Sequence, residues 1–385
     1  MQNGTQVVLL QNTQADGSLW HLRLMAQNAL KVANVLVNRR LHRPPRYCPI
    51  LLAFVTNRCN LRCKMCGVCE LTSPTEHTPE LTTEEWKGVV RSAVKLRTTL
   101  MLMSGGEPLL RPDLFEIIRY ARDQGIAFHL CTNGTLIDKE KALNLAETGV
   151  NTVSVSIESP VKEIHERLRG PGTFECAIQG VQLLREHAPN VNIGINYLIT
   201  SANFRNMAAM IPFAESLGAD QLKYAPIHTN LLHKRKRIGD YGDLLFGEED
   251  LDELDHEMSL LMKAAAQNRL LTTSPMFLSK ISSFYSRPPK FRCYAGYAAC
   301  AVDPFGVVAP CVDMDGALSV RQLPLEAIWR SPEFQVQRRE VHRCNSSCWD
   351  TTNAELSIRL RVRSLILDLA LTWKDIGFYY GKGGS

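Results

Sequence analysis

The chain of 385 residues contains no apolar run that approaches the roughly 20 residues of a membrane-spanning helix. The segment before Cys48 also lacks the apolar core and small-residue cleavage site of a secretory signal. Both absences argue against a membrane-embedded or secreted protein. Twelve cysteines in such a chain are better explained by metal ligation in a reducing compartment than by disulfides. We therefore expect a cytoplasmic protein that binds metal.

Aromatic residues are missing around the strongest basic run, at residues 233–237. Surfaces that bind nucleic acid interleave aromatic with basic side chains, so nucleic acid is not an expected partner. The formal net charge of +5 is mild for a chain of this length. The basic run is either a solvated loop or an anion-binding edge for phosphorylated or acidic substrates.

Short apolar runs alternate with longer amphipathic stretches between Pro49 and Pro226. Such alternation predicts a parallel sheet that is covered by helices and built with right-handed crossovers. Six β-α units fall short of the eight of a closed barrel, so the predicted fold is α/β, a partial (β/α)6 TIM-like barrel. The predicted strands are 50–56, 99–103, 126–132, 151–157, 191–199 and 220–226, and the predicted helices are 82–97, 112–124, 138–147, 173–187, 203–217 and 249–268.

The polar loops of this predicted barrel all follow the carboxyl ends of strands, where the active sites of barrels lie. A Pro-rich break at residues 287–289 precedes a cysteine-bearing segment with too little apolar periodicity for a core of its own. We expect that a bound metal holds this segment together. The predicted division is an amphipathic helical extension (1–47), the barrel (48–270), a small C-terminal metal-binding domain (271–350), and an amphipathic helix with a tail (351–385).

Cys59, Cys63 and Cys66 form a C-x3-C-x2-C loop directly after the first predicted strand. Such a loop supplies three thiolates to a four-iron cluster and leaves one iron free to bind another molecule. A zinc site is the alternative, because Cys69 forms a C-x2-C pair with Cys66 and zinc accepts four thiolates. Paired glycines at the end of the second strand favour the cluster, since glycine lets the backbone approach a ligand closely.

With Met65 and the Ser104–Pro108 run, this loop resembles the signature of the radical S-adenosylmethionine (SAM) superfamily over about residues 48–350. The resemblance implies that SAM chelates the open iron of a 4Fe–4S cluster. It also implies reductive cleavage of SAM to methionine and a 5′-deoxyadenosyl radical, which abstracts a hydrogen atom from the substrate. A flavodoxin- or ferredoxin-type protein is the implied electron donor. The implied SAM contacts are Gly105, Gly106, Glu107, Asn133, Ser156, Glu158, Arg169 and Ile195.

A second set of cysteines consists of Cys293, Cys311, Cys344 and Cys348. Its spacing resembles the SPASM and twitch auxiliary-cluster domains, although the closing cysteine run is reduced to one pair. Four thiolates suffice for one fully ligated 4Fe–4S cluster and are too few for two, so the resemblance implies a single auxiliary cluster. Zinc on the same thiolates is the alternative, because spacing alone does not separate the metals. Cys300 could replace one of the four ligands.

The sequence supports less specific predictions for the other cysteines and for two flanking stretches. Cys48, Cys131 and Cys176 are expected to be buried small hydrophobes. Residues 19–41 and 356–376 each align apolar side chains along one helical face. Packing against the barrel exterior or a second subunit explains both stretches. The alternative is contact with the inner surface of a membrane, near a lipid or lipid-linked substrate.

A fully ligated auxiliary cluster has no vacant iron, so we expect it to transfer electrons and the net reaction to be an oxidation. The expected substrate is a small alcohol, a sugar or a lipid-linked molecule, because few residues precede the first strand and peptide-modifying relatives often carry a leader-binding domain there. Peptide maturation is the alternative activity. A non-catalytic zinc or iron–sulfur scaffold is the alternative of a different class. No general base is expected, and Tyr224 and His228 are candidates for substrate contact.

Overall fold

The computed structural model describes residues 17–68, 78–227, 242–266, 268–345, 348–361, 364 and 369–380, of which 17–28 and 369 are described by backbone alone. Cys69, His228 and the basic run at 233–237 lie outside the described residues. The predictions made for them stay predictions.

Six parallel strands form the body of the sheet, in the order β6-β5-β4-β3-β2-β1. Each begins within one residue of its predicted start, which confirms the six strand predictions. Consecutive strands pair side by side, as repeated β-α units require. The strands are β1 (Ile50–Phe54), β2 (Leu100–Ser104), β3 (Ala127–Thr132), β4 (Thr152–Ser156), β5 (Asn192–Ile199) and β6 (Gln221–Pro226).

Helices connect these strands, and all six predicted helices are present. One further helix, α5, was not predicted because its eight residues contain only two aliphatic side chains, Ile164 and Leu168. The helices of the barrel are α2 (Thr83–Lys95), α3 (Leu114–Asp123), α4 (Lys139–Glu147), α5 (Lys162–Arg169), α6 (Thr173–His187), α7 (Met207–Ser216) and α8 (Leu251–Ala266). Short 3-10 turns span Pro108–Leu110, Phe204–Asn206 and Glu248–Asp250.

Side chains along the strands alternate between the helices outside and a lumen inside. One set packs in the main hydrophobic core, and burial of each aliphatic member contributes about 2 kcal/mol. The other set lines a cavity, so the sheet curves around it as a partial barrel. The core set includes Leu51, Met101, Phe128, Val153, Ile193 and Leu222, and the lumen set includes Leu52, Leu102, His129, Asn196 and Lys223.

The cysteine-bearing segment continues this sheet. Its strand β7 (Ala299–Val302) pairs in parallel with β1, and β8 (Val307–Ala309) and β9 (Leu318–Ser319) follow in antiparallel order. Backbone hydrogen bonds to β1 therefore anchor the segment, in addition to the metal that the sequence predicts for it. Its helices are α9 (Pro275–Leu278), α10 (Ile281–Ser286), α11 (Leu325–Arg330) and α12 (Pro332–Arg343).

The two flanking stretches form α1 (Gly17–Arg40) and a pair of helices, α13 (Ala354–Arg359) and α14 (Leu369–Tyr380). Val32 of α1 and Tyr379 of α14 both line the lumen. Asn192 Nδ2 on β5 donates a hydrogen bond to Phe378 O at 2.6 Å. Both stretches therefore close part of the barrel interior, which corrects the prediction of packing on the barrel exterior, whereas contact with a second subunit or a membrane surface stays a prediction. Among the described residues, no helix is long and apolar enough to cross a membrane.

Candidate active site

The cysteine loop after β1 packs directly against the Ser-Gly-Gly-Glu loop after β2. Gly106 N donates to Thr56 O at 2.7 Å, and Glu107 N donates to Arg58 O at 2.8 Å. A Cβ atom at Gly105 would lie 2.4 Å from Thr56 O, and one at Gly106 would lie 2.1 Å from Arg58 O. Gly105 also has a φ of 146°, which L side chains rarely adopt. Glycine is therefore required at both positions for the two loops to meet.

Glu107 joins these loops to the end of β3. Its buried carboxylate accepts hydrogen bonds from Thr132 Oγ1 at 2.7 Å, Asn133 N at 2.8 Å and Leu109 N at 3.1 Å. Burial raises the pKa of Glu107, and the hydrogen bonds oppose that rise. Because these internal partners engage both carboxylate oxygens, we regard Glu107 as a residue that positions the loops.

Asn133 lies beside the first cysteine of the loop. Its Nδ2 atom is 4.0 Å from Cys59 Sγ and donates to Asn60 Oδ1 at 2.9 Å. Asn60 Nδ2 in turn donates to Thr135 Oγ1 at 2.9 Å. The loops after β1 and β3 are thus bonded together, and the Asn133 amide borders the cysteine loop.

Arg169 and Glu158 form a buried ion pair next to Cys63. The Nε and Nη2 atoms of Arg169 donate to Glu158 Oε1 at 2.9 and 2.5 Å, while its Nη1 atom lies 3.9 Å from Cys63 Sγ. Burial opposes the charge on Arg169, but Glu158 and Cys63 raise its pKa above the ordinary value. Burial raises the pKa of Cys63, and Arg169 lowers it. The guanidinium therefore provides a fixed positive charge for a thiolate or a carboxylate at this loop.

Two of the predicted contacts lie on opposite sides of the sheet. Ser156 ends β4 and pairs in register with Asn196, which lines the lumen. Ile195 instead belongs to the core between the sheet and the helices, so strand alternation turns it away from the lumen. Tyr224 is likewise turned outward, and its hydroxyl donates to Met207 O at 2.6 Å. Its placement contradicts its predicted role in substrate contact.

A cavity of about 550 Å³ occupies the lumen. It extends from Pro49 and Thr99, at the amino ends of β1 and β2, to Phe54 and Ser104 at their carboxyl ends. Its far wall comes from the cysteine-bearing segment. Most of its lining is apolar and includes Val32, Val35, Leu52, Phe54, Leu102 and Ile376.

Polar side chains of the lumen include residues of β3, β5, β6, α13 and α14. Lys223 Nζ donates to the Tyr379 hydroxyl at 2.5 Å. His129 Nδ1 lies 2.6 Å from Thr152 Oγ1, and its Nε2 atom lies 3.3 Å from Cys131 Sγ. Burial lowers the pKa of His129 to about 3, so this imidazole is neutral. Sequence reasoning missed this group, although polar residues at alternate positions of buried strands were a signal for it.

The second cysteine set borders the same cavity. Ala295 N lies 3.4 Å from Cys293 Sγ, and Asn353 Nδ2 lies 3.6 Å from Cys311 Sγ. Val312 and Asn353 both line the cavity. The second cysteine set is therefore adjacent to the lumen.

The chemistry of this donor set fits an iron–sulfur cluster. Burial raises the pKa of Cys293 to about 11, and it also raises the pKa of Cys311 and Cys348, with further increases from Asp350 and neighbouring thiols. A cationic iron–sulfur core offsets this cost, and N–H groups directed at sulfur stabilise its thiolate ligands. Cys344 interacts electrostatically with Cys293 and is exposed. No three His, Cys, Asp or Glu side chains in the described ranges are grouped closely enough to hold a single metal ion.

The remaining described cysteines lie elsewhere. Cys300 Sγ is 3.6 Å from Cys48 Sγ, and both thiols are buried between β1 and β7. The free thiol of Cys300 therefore contacts that of Cys48. Cys131 lines the lumen. Cys176 is exposed, so the prediction that it is buried was wrong.

Two family models and several curated relatives match this chain. The Radical SAM superfamily model matches residues 54–210, and the SPASM iron–sulfur cluster-binding domain model matches residues 293–350. An AdoMet-dependent heme synthase of Methanosarcina barkeri is 30% identical over 78% of this chain and 87% of that protein. A PqqA peptide cyclase of Granulibacter bethesdensis is 27% identical over 75% of each chain.

A solved structure supports the same fold. The crystal structure of Streptococcus suis SuiB bound to S-adenosylmethionine has a TM-score of 0.61 and 18% identity, over 85% of this chain and 75% of that one. Because the sequence identity is low, this similarity concerns the fold alone. The cofactors of a protein that matches both family models are a 4Fe–4S cluster, SAM and auxiliary iron–sulfur clusters. Together, the family models, the relatives and this fold show that the chain belongs to the radical SAM superfamily and carries a SPASM domain.

Proposed function

We propose that this radical SAM enzyme oxidises a small amphipathic molecule, such as an alcohol, a sugar or a lipid-linked compound, inside the barrel lumen. The observation that supports the proposal is the cavity of about 550 Å³ inside the barrel, whose lining includes Phe54 at the end of β1 and Val312 beside Cys311. Its volume lies in the range of small-molecule sites, and its mostly apolar lining with a few polar groups is typical of them.

The cysteine loop is the proposed site of the SAM-binding cluster. Cys59, Cys63 and Cys66 would hold the cluster, which with SAM supplies a carbon-centred radical that abstracts hydrogen from a C–H bond. Arg169 is positioned to bind the SAM carboxylate, because its Nη1 atom faces Cys63. Gly105 and Gly106, Asn133 and Ser156 are the further SAM contacts that we propose.

The lumen residues would hold the substrate and exclude water. Leu52, Phe54 and Leu102 offer an apolar wall along two strands. Lys223 and Asn196 offer hydrogen-bonding groups on the opposite strands. A dry lumen protects a reactive intermediate from side reactions.

The second cysteine set is the proposed site of one auxiliary cluster. Cys293, Cys311, Cys344 and Cys348 would hold it, and it would supply a one-electron acceptor for a net oxidation. Val312 and Asn353 join its surroundings to the cavity wall. The electron donor that we propose for the enzyme is a flavodoxin- or ferredoxin-type carrier protein.

Peptide maturation is the second candidate function. It is favoured by the similarity to PqqA peptide cyclase. The similarity to a heme synthase adds haem precursors to the compounds that a test must include.

Deuterium transfer tests the proposal. Anaerobically reconstituted enzyme with SAM and dithionite is incubated in three separate reactions. They contain a deuterated small-molecule extract, a deuterated peptide fraction and deuterated haem precursors. Deuterium in 5′-deoxyadenosine from the small-molecule arm is the expected result. Transfer from the peptide or haem arm alone would overturn the substrate proposal, and absence of 5′-deoxyadenosine in every arm would overturn the reaction.

A cavity-filling variant adds a matched control. Leu102→Trp places an indole in the lumen, so deuterium transfer should fall at least about tenfold while uncoupled 5′-deoxyadenosine formation persists. Leu143→Trp, at an exposed position on α4, should change neither quantity. Equal deuterium transfer in both variants would show that the substrate does not enter the lumen.

A further inference from the structure

A group of exposed basic side chains surrounds the second cysteine set. We call it the basic rim: His42, Arg43, Arg292, Arg339 and Arg343, all of which are exposed. Arg292 directly precedes Cys293, and Arg343 directly precedes Cys344. Cys344 is itself exposed, whereas Cys63 of the first loop is buried. The second cysteine set therefore reaches the surface at Cys344, beside the rim.

Tertiary contacts bring the three segments of the rim together. Arg39 Nε, at the end of α1, donates to Cys293 O at 2.9 Å. The rings of His42 and His342 lie 4.1 Å apart, and Gln335 Nε2 on α12 donates to His42 O at 2.6 Å. The end of α1 is thus bonded both to the Cys293 loop and to α12, which leads into Cys344.

The arginines of the basic rim form no ion pair in the described part of the chain, although Asp350 adds negative charge near the second cysteine set. None of its arginines lies within 4 Å of a described carboxylate, in contrast to Arg321, which pairs with Glu85 at 2.6 Å. Glu340 is an exposed acidic neighbour on α12. Gathering like charges at one surface costs free energy, and an acidic partner recovers it.

We propose that the basic rim is the docking surface for an acidic one-electron carrier protein that accepts the electron released by substrate oxidation. This inference rests on the proposed function, because it requires an auxiliary cluster on the second cysteine set. In the transfer step, one electron leaves the reduced enzyme and reduces the flavin quinone of a flavodoxin, which takes a proton from water to give the semiquinone. Charge complementarity steers the carrier protein toward the basic rim. The exposed Cys344 lets the carrier approach the second cysteine set closely.

Binding of oxidised flavodoxin to the anaerobically reconstituted enzyme tests the proposal. The test variant is Arg43→Glu, Arg292→Glu and Arg343→Glu combined. The matched control is Arg91→Glu, Arg119→Glu and Lys139→Glu, which reverses three exposed charges on α2, α3 and α4. We expect the rim variant to bind at least tenfold more weakly at low salt and to lose most of its salt dependence, and the control to bind as the wild type does.

Electron transfer from the dithionite-reduced enzyme to flavodoxin, followed by flavin absorbance, should slow in the rim variant by a similar factor. Unchanged affinity in the rim variant, or an equal loss in the control, would overturn the docking surface. Iron content and dithionite-driven formation of 5′-deoxyadenosine should stay at wild-type levels in both variants. Wild-type enzyme without auxiliary iron would overturn the proposed function itself, which separates the two failures.

Discussion

Lys223 on β6 donates a hydrogen bond from Nζ to the hydroxyl of Tyr379 on α14, at 2.5 Å. The bond joins the last strand of the barrel to the C-terminal helix inside the lumen. Tyr379 and Asp375 raise the pKa of Lys223 against the lowering caused by its burial, so the ammonium stays charged. The C-terminal helix is therefore part of the wall of the proposed substrate cavity.

Loss of this hydrogen bond should destabilise the protein. Tyr379→Phe removes one bond to a charged partner, and we expect the free energy of unfolding to fall by about 1.5–3 kcal/mol. Urea unfolding followed by circular dichroism measures the change. Tyr47→Phe is the matched control, because the hydroxyl of this half-buried residue has no hydrogen-bond partner among the described residues and its ring makes a cation–π contact with Arg46 at 5.6 Å. Equal effects in the two variants would contradict a stabilising role for the Lys223 bond.

The buried pair of Arg169 and Glu158 should be sensitive to loss of either partner. Arg169→Met leaves the Glu158 carboxylate buried without its cation, so we expect a loss of about 3–5 kcal/mol in the free energy of unfolding. SAM affinity, measured by calorimetry on the reconstituted enzyme, should also fall at least about tenfold.

Two comparisons control this experiment. The double variant with Glu158→Gln should recover part of the stability and none of the SAM affinity. Arg205→Met removes an exposed ion pair with Glu253 and should change stability little. Full retention of SAM affinity in Arg169→Met would exclude the proposed contact with the SAM carboxylate.

Cysteine substitutions should distinguish cluster ligands from cysteines that bind no cluster. Cys311→Ala should lose the iron and sulfide of one four-iron cluster after anaerobic reconstitution, because the second set would lack one of its four proposed ligands and no SAM molecule is proposed to complete the ligation there. Cys300→Ala should retain the full content, since its thiol faces Cys48 at 3.6 Å. Iron and sulfide assays with Mössbauer spectroscopy measure both. Loss of a cluster from Cys300→Ala would make Cys300 a ligand.

Stability should fall as the pH is lowered through 6.5. Burial lowers the pKa of His129 to about 3 in the folded protein, compared with an ordinary value of 6.5. Between these values the unfolded chain binds a proton that the folded chain does not, so the free energy of unfolding decreases with falling pH. Burial likewise lowers the pKa of His165 to about 3, so both residues contribute.

His129→Gln should reduce the slope of stability against pH between 6.5 and 4, because it removes one of the three described histidines with a lowered pKa, His129, His165 and His342, while an amide can still bond to Thr152. The midpoint of urea unfolding at several pH values measures the slope. His256→Gln, at an exposed position, should leave it unchanged. A slope that does not respond to His129→Gln would indicate that this imidazole is protonated in the fold.

The strands and most helices were predictable because their signals are local. Short, mainly apolar runs such as residues 50–54 and 192–199 predict strands that are buried on both faces. The glycines at 105 and 106 indicate that the loop after β2 approaches another part of the backbone closely. Helix α5 escaped prediction because it has only two aliphatic side chains. The predictions for Tyr224 and Ile195 were wrong because successive residues of a strand point to opposite faces of the sheet. An error of one residue in register therefore places a side chain on the wrong face.

The sequence by itself determined the order of the elements, the six parallel strands and the two sets of cysteines, because periodicity and ligand spacing are written along the chain. Only the tertiary structure decided what fills the barrel. The pairing of β7 with β1, the insertion of α14 beside Lys223 and the contact of Cys300 with Cys48 join residues far apart in the chain. Such contacts follow from packing of complementary surfaces, and no local pattern in the sequence records which distant surface completes a cavity.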